Sequence, residues 1–247
     1  MVNPMAMSAR QRESIHSRAV YTFHRLYSRE SFPVRYGDDD RSHQPATLAG
    51  SDIHVLGRGV VLIGMGERST EMGVEALTRG LVASGQATTV IAVESPGSHA
   101  FMHLDSVLAM VDVDAFVRHP GLDTDALPTW VVTAADPTEM VDNDTAGLHV
   151  ERREGLFATI AGALELNKLC ILAPDEDARA AAREQWDDSN NFLAVAPGGV
   201  VGYDRNTVTN RMLADEGIEV LSIPGSELGR GRGGSRRMTC PIERDGV

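Results

Sequence analysis

The sequence predicts an α/β protein assembled from repeated ββαβ modules, and three observations predict it. The order strand, turn, strand, helix, strand runs once across Asp52–Val93 and again across Asn191–Ile223. A looser third copy lies between them, from Val107 to Leu172. Repetition of one small unit argues for an array of modules and against a single continuous doubly wound sheet.

The elements follow in order. Ser8 to Tyr27 reads as a helix, because Ile15, Ala19, Val20, Phe23 and Leu26 recur at helical spacing and Ser8-x-x-Gln11 has the form of a capping box. Pro33 ends that helix, and Gly37-Asp38-Asp39-Asp40 reads as a loop. In the first module, Asp52–Leu56 and Val60–Ile63 are strands joined by Gly57-Arg58-Gly59. Thr70–Ser84 is a helix with Val74, Leu77, Leu81 and Val82 on one side; Gly85 stops it before the strand Thr88–Val93. The middle module takes strands near Val107–Val111, Ala115–Arg118 and Trp130–Thr133, a helix near Glu154–Leu166 and a strand at Leu169–Leu172. The last takes strands at Asn191–Val195 and Val200–Tyr203 around Pro197-Gly198-Gly199. Its helix is Asn206–Glu216, and its closing strand, after Gly217, is Ile218–Ile223.

Composition narrows the function. A net charge of −12 opposes a nucleic-acid groove or an anionic membrane surface as partner. No stretch approaches the roughly 18 apolar residues that span a bilayer, and Met1–Met7 has no secretory pattern. Two cysteines are too few for a disulfide framework or a zinc site. A cytoplasmic protein of a reducing compartment is expected.

Four segments can carry chemistry. Met102-His103-Leu104-Asp105 is expected to open a strand, with His103 and Asp105 on one face. A carboxylate beside an imidazole suits acid–base work or a cationic substrate, although a surface pair at a strand start has the same spacing. Asp52 and His54 repeat the pattern in reverse, without the third ligand at set spacing that a metal site needs. Gly64-Met65-Gly66-Glu67-Arg68 lies between strand and helix, where Arg68 can clamp a carboxylate or merely be solvated. The Gly-rich segment Gly229–Arg237 reads as a loop folding over a site.

These residues resemble a known family. Gly64-Met65-Gly66-Glu67-Arg68-Ser69-Thr70, Met102–Val107, Gln185-Trp186-Asp187-Asp188-Ser189-Asn190-Asn191 and Ser226–Gly234 are similar, in family order, to arginine deiminase. The likeness runs almost from Asn3 to Asp245 and implies a pentein-type α/β propeller of five ββαβ modules. About three would be present here, as a single domain over 1–247 without the N-terminal modules. It further implies hydrolysis of L-arginine to L-citrulline and ammonia through a Cys-amidino intermediate, with no cofactor. Carried over by position, His103 corresponds to the proton-shuttling histidine and Asp105 to a guanidinium-binding aspartate. Arg68 and Arg10 correspond to arginines that hold the substrate carboxylate, and Arg232 to the substrate-binding arginine of the mobile glycine loop.

Three departures change the expectation. Where the family has Cys-Met-Ser/Thr-x-Pro, this chain has Arg237-Met238-Thr239-Cys240-Pro241, so the nucleophile position holds Arg237. Ala49-Gly50-Ser51-Asp52 replaces Glu-Gly-Gly-Asp, which puts Ala49 where a guanidinium-binding glutamate belongs. The Phe-Thr-Arg-Asp motif is absent from the sequence. The expected protein is therefore an arginine deiminase by lineage with its reaction lost; the alternative is a non-catalytic relic, either degenerate or regulatory and partner-binding. Module faces left uncovered predict a chain that is oligomeric, aggregation-prone or loosely packed.

Overall fold

The computed structural model describes residues 5–29, 36, 43–136, 147–242 and 244. The expected stop at Pro33 and the loop Gly37–Asp40 lie outside the described residues. In chain order the elements are α1 (Glu13–Phe23), β1 (Ile53–Gly57), β2 (Val60–Met65), α2 (Glu71–Ala83), β3 (Thr89–Glu94), β4 (Leu108–Met110), β5 (Ala115–Arg118), β6 (Thr129–Ala134), β7 (Leu148–Arg153), α3 (Leu156–Ala163), β8 (Cys170–Leu172), α4 (Ala178–Trp186), β9 (Leu193–Ala196), β10 (Gly199–Tyr203), α5 (Thr207–Asp215) and β11 (Glu219–Ile223). Two compact units hold them: residues 1–103 with 128–153, and residues 104–127 with 154–247.

The first unit is built on a five-stranded sheet in the order β1-β2-β3-β6-β7. β1 and β2 are antiparallel, joined across Gly57, Arg58 and Gly59, all three with positive φ. A two-residue hairpin with that backbone matches the right-handed strand twist, and glycine adopts it without strain. α2 then carries the chain back to β3, parallel to β2. Thr70 caps α2 by accepting from Gly73 N at 3.2 Å, and its hydroxyl also takes the Thr47 N–H at 3.0 Å. Val61, Ile63, Met65, Val74, Leu77, Val90, Ala92, Val132 and Leu148 form the core between sheet and helix.

Gly73 is where α2 meets the Thr47–Leu48 segment: a Cβ there would overlap the Thr47 carbonyl oxygen. An alanine would gain about 1 kcal/mol of helix propensity but force backbone apart, at about 1–3 kcal/mol. Gly73→Ala is therefore expected to lower the urea midpoint; a raised midpoint would mean that the helix can shift without loss.

The second unit contains two three-stranded sheets, β4-β5-β8 and β11-β10-β9. Each pairs its first two strands antiparallel and its third parallel to the second, with a helix in the crossover. Their shared core includes Val111, Val117, Leu172, Phe192, Val200, Leu213 and Ile218. The α5 N-terminus is capped from outside: Glu184 of α4, its side chain 1% exposed, accepts from Val208 N, Thr209 N and Thr209 Oγ1. A buried carboxylate at that end meets both the orphan N–H groups and the positive end of the helix dipole.

Four expectations need correction. Trp130–Thr133 is a strand but not of the middle module: β6 pairs antiparallel with β3 in the first unit, and β7 pairs with β6. The chain leaves the second unit at Pro128 and returns at Glu154, so the middle module is β4, β5, α3 and β8. The first helix is shorter than expected and its capping box does not form; neither Met7 before Ser8–Arg10 nor Arg12 before α1 makes a side-chain cap. Its apolar residues Ile15, Val20 and Phe23 are exposed rather than buried. Finally, Met102–Asp105 is no strand: Leu104–Ser106 is a 3-10 turn and β4 begins at Leu108.

Candidate functional site

The residues singled out by the sequence fall into two clusters, one in each unit. In the first unit, Ala49, Asp52 and His54 are buried at the start of β1, and Glu67–Thr70 forms the loop from β2 to α2. Asp52 accepts a hydrogen bond from Ser69 Oγ at 2.5 Å, and Ser69 Oγ in turn accepts from Ala49 N at 2.9 Å. The other Asp52 oxygen faces His103 Nδ1 at 3.4 Å, with both side chains under 10% exposed. In the tautomer protonated at Nδ1, His103 donates to Asp52 and proton exchange falls to Nε2. The carboxylate that faces His103 is therefore Asp52 and not the expected Asp105. Its signal was present as the retained fourth residue of Ala49-Gly50-Ser51-Asp52.

His103 and Asp105, expected on one strand face, are assigned to different units, because the chain turns between them. Arg68 belongs to the first cluster. Its Nη2 lies 3.8 Å from Met102 Sδ and 3.2 Å from Glu67 Oε1. Its Nε is buried and has no hydrogen-bond partner among the described residues, a donor suited to an anion. Arg10 sits in the 3-10 turn before α1 and holds Glu13 through two bonds, at 2.8 and 2.9 Å; Glu13 is accordingly pulled below its usual pKa, chiefly by that arginine.

The second cluster surrounds Asp105, whose side chain has no solvent exposure. Arg237 holds it side-on, Nη2 to Oδ1 at 2.6 Å and Nε to Oδ2 at 3.3 Å. Arg236 Nη1 reaches Oδ2 at 3.3 Å. Behind them lies Asp188, also buried, with φ of +60° at the end of α4. Its Oδ2 accepts the Gly233 N–H at 3.0 Å, while its Oδ1 stands 3.9 Å from Arg237 Nη1 without a hydrogen bond.

Asn191 ties the cluster together. Its side-chain N–H₂ donates to the Asp105 carbonyl at 3.2 Å and its Oδ1 accepts from Arg237 N at 3.3 Å. The loop from 229 to 237 is held by Tyr203 Oη to the Gly233 carbonyl and by Ser235 Oγ to the Val201 carbonyl. Arg232, also at positive φ, lays its guanidinium 3.8 Å above the Trp186 ring. Asp188 was missed as a site residue. The signal was seven consecutive polar or aromatic residues, Gln185–Asn191, of which five are buried.

Burial pushes the Asp188 carboxyl above its ordinary pKa; Arg237, the Gly233 N–H and Arg232 pull it back, and Asp105 pushes it further up. A raised folded-state value means that the folded chain holds this proton more tightly than the unfolded chain. The stabilising contribution is complete below the unfolded value and is lost as pH rises through the folded one. Asp188→Asn removes this loss. The variant's stability relative to the natural chain is expected to improve as pH rises above the ordinary carboxylate range, measured as urea midpoints. A difference independent of pH would show that Asp188 ionises as it does in water.

Among the described residues, no helix is long and apolar enough to cross a membrane and no group of three His, Cys, Asp or Glu is arranged to hold a metal.

Comparison with known proteins bears on the fold and the family. The arginine dihydrolase ArgZ from the cyanobacterial ornithine–ammonia cycle, in its apo structure, is similar with a TM-score of 0.62 at 16% identity, over 98% of this chain and 30% of that one. A mutant of AgrE in binary complex with L-arginine gives 0.63 at 13% identity, over 99% of this chain and 29% of that one. SxtG, an amidinotransferase of saxitoxin biosynthesis from Microseira wollei, gives 0.63 at 14%, over 99% and 66%. The chain thus spans about a third of the length of the first two, and likeness at these identities speaks for the fold. The family model described as arginine deiminase matches residues 1–244. Nearly the whole chain is covered by that match, and it therefore belongs to the arginine deiminase family.

Proposed function

We propose that this chain is a catalytically silent member of its family, with the cation-holding carboxylate kept and the nucleophile lost. The observation that carries this is the side-on contact of Arg237 with Asp105. A thiolate at position 237 would attack the carbon of a bound guanidinium; Arg237 instead supplies a guanidinium of its own, and it has no electron pair to give. The three antiparallel-then-parallel sheets are read as three modules of a pentein-type α/β propeller, within one arginine-deiminase-like domain.

His103, oriented by Asp52, keeps the groups for proton transfer. Arg68 keeps an N–H suited to a substrate carboxylate, and Arg232 and Arg10 are its assigned companions. Ala49 is buried and offers no carboxylate. Asp105 and Asp188 are thereby the acidic groups that could face a substrate cation, and Arg237 already neutralises the first. Family hydrolysis of L-arginine to L-citrulline and ammonia should not proceed. Binding of L-arginine, where it occurs, should rest on carboxylate contacts and discriminate poorly against amino acids without a guanidinium. Both cysteines are exposed, and we assign the chain a cytoplasmic location. A citrulline assay on the purified chain tests the reading; turnover comparable to that of an intact family enzyme would overturn it.

A further inference from the structure

We propose that Arg237 is an internal ligand: the chain fills the Asp105–Asp188 cup with its own guanidinium and uses that contact to latch the 232–239 segment in place, so that vacating position 237 creates a receptor site for small free guanidinium ions. The chemistry of the cup defines the ligand class. Asp105 has no solvent exposure and presents both oxygens to one edge of a guanidinium, a geometry matched by two parallel N–H donors and not by a compact ammonium.

The cup is not fully satisfied by its present occupant. Asp188 Oδ1 is buried, has no hydrogen-bond partner among the described residues, and lies 3.9 Å from Arg237 Nη1. Arg237 cannot close that gap freely because its backbone is fixed: its N–H is bonded to Asn191, and the preceding Gly234 packs so closely that a Cβ there would meet the Asn191 carbonyl oxygen at 2.6 Å. An untethered guanidinium can move toward Asp188 while keeping the side-on contact with Asp105. It would then replace the side chain and bond more completely than the side chain does.

The latch follows from where the remaining bonds lie. The segment around Arg237 is joined to the rest of its unit by Gly233 N to Asp188, by Tyr203 Oη to the Gly233 carbonyl, by Arg236 N and Arg237 N to Asn191, and through Ser235 Oγ to Val201, Asn191 and Leu193. One of these bonds ends on a carboxylate of the cup, and Asn191 also donates to the Asp105 backbone. Removing the Arg237 guanidinium leaves Asp105 with Arg236 at 3.3 Å and takes away the cation that lies 3.9 Å from Asp188, so weakened charge compensation and lost anchoring act on the same residues.

The proposal rests on reading Asp105 as a cation-holding carboxylate, and its test reads binding without turnover, so its failure is separable from that of the catalytic reading. Hydrogen exchange of residues 232–239 and the melting temperature are measured for the natural chain and Arg237→Ala, each with millimolar methylguanidinium or methylammonium at equal ionic strength. Arg237→Ala is expected to melt on the order of 10 °C lower and to lose protection in that segment. Methylguanidinium, and not methylammonium, should restore both saturably, and neither ion should affect the natural chain. Equal rescue by the two ions, no rescue by either, or equal stabilisation of the natural chain would overturn the proposal. If Arg237→Ala does not fold unaided, its refolding yield with each ion, beside that of Arg237→Gln, reads the same preference.

Discussion

Incubated with L-arginine, the purified chain is expected to yield no citrulline, and Arg237→Cys is expected not to start the reaction. The substitution returns a thiol to the family's nucleophile position and withdraws a cation from Asp105, both favourable changes. Loss of a covalent nucleophile alone typically costs several powers of ten in rate, so the gain could in principle be large. Position, however, supplies a comparable share: reacting atoms must be held about 3–3.5 Å apart in attack geometry. A planar guanidinium needs carboxylates on more than one edge to be held so, and buried Ala49 gives none where the family has a glutamate. Cys240 is no substitute, being exposed and beyond the 3-10 turn Arg236–Met238. The assay compares the natural chain, Arg237→Cys, and Arg237→Cys with Ala49→Glu; only the third is expected to show a trace of product. Turnover by the natural chain that vanishes in Cys240→Ser would sink the catalytic reading. Turnover by Arg237→Cys alone would show that Ala49 matters less than its position implies.

Local patterning made most of the elements legible. Val74, Leu77, Leu81 and Val82 lie on the α2 face, and Gly57, Gly59, Gly85 and Gly217 each take the positive φ that ends a strand or helix. Patterns of that kind are written within a few residues. Pairing partners are not. β6 is rich in the β-branched and aromatic residues that favour strands, yet nothing in Thr129–Ala134 says that it joins β3 rather than β5, and the habit of neighbours pairing pointed the wrong way. β7 escaped notice because Leu148–Arg153 is an edge strand exposed at five of six positions and charged, the very features that keep edges from pairing further. α4 was missed although Asp177 caps it through two N–H groups, a signal that could have been read.

The site was legible by residue type and not by partnership. His103, Asp105, Arg68 and Arg232 were named from motif positions. That His103 is served by Asp52, fifty-one residues away in sequence, follows from the hairpin and loop packing of the first unit. That Asp105 meets Arg237 across 132 residues could be suspected only from knowing what the nucleophile position faces.

Arg237→Ala should be rescued by a second substitution at the residue it contacts. Asp105 is wholly buried while the Arg237 and Arg236 side chains are 23% and 26% exposed. Were exposure of the arginines decisive, the pair would be worth no more than the 0–1 kcal/mol of a surface ion pair. The carboxylate cannot reach water, however, so the cost of removing its partner is set by the buried end. Breaking a buried pair in this way costs about 3–5 kcal/mol, and Arg236, left behind, reduces that to an expected loss of about 2–3 kcal/mol. Asp105→Asn on the Arg237→Ala background keeps the volume and removes the stranded charge, so it should recover most of the loss. The double variant is expected to be more stable than Arg237→Ala, with a coupling of about 1–3 kcal/mol between the sites. Urea denaturation of the natural chain, both single variants and the double variant measures all four corners. Additive losses would mean that Asp105 and Arg237 are held apart by solvent and that Asp105 is not a buried charge in need of its arginine.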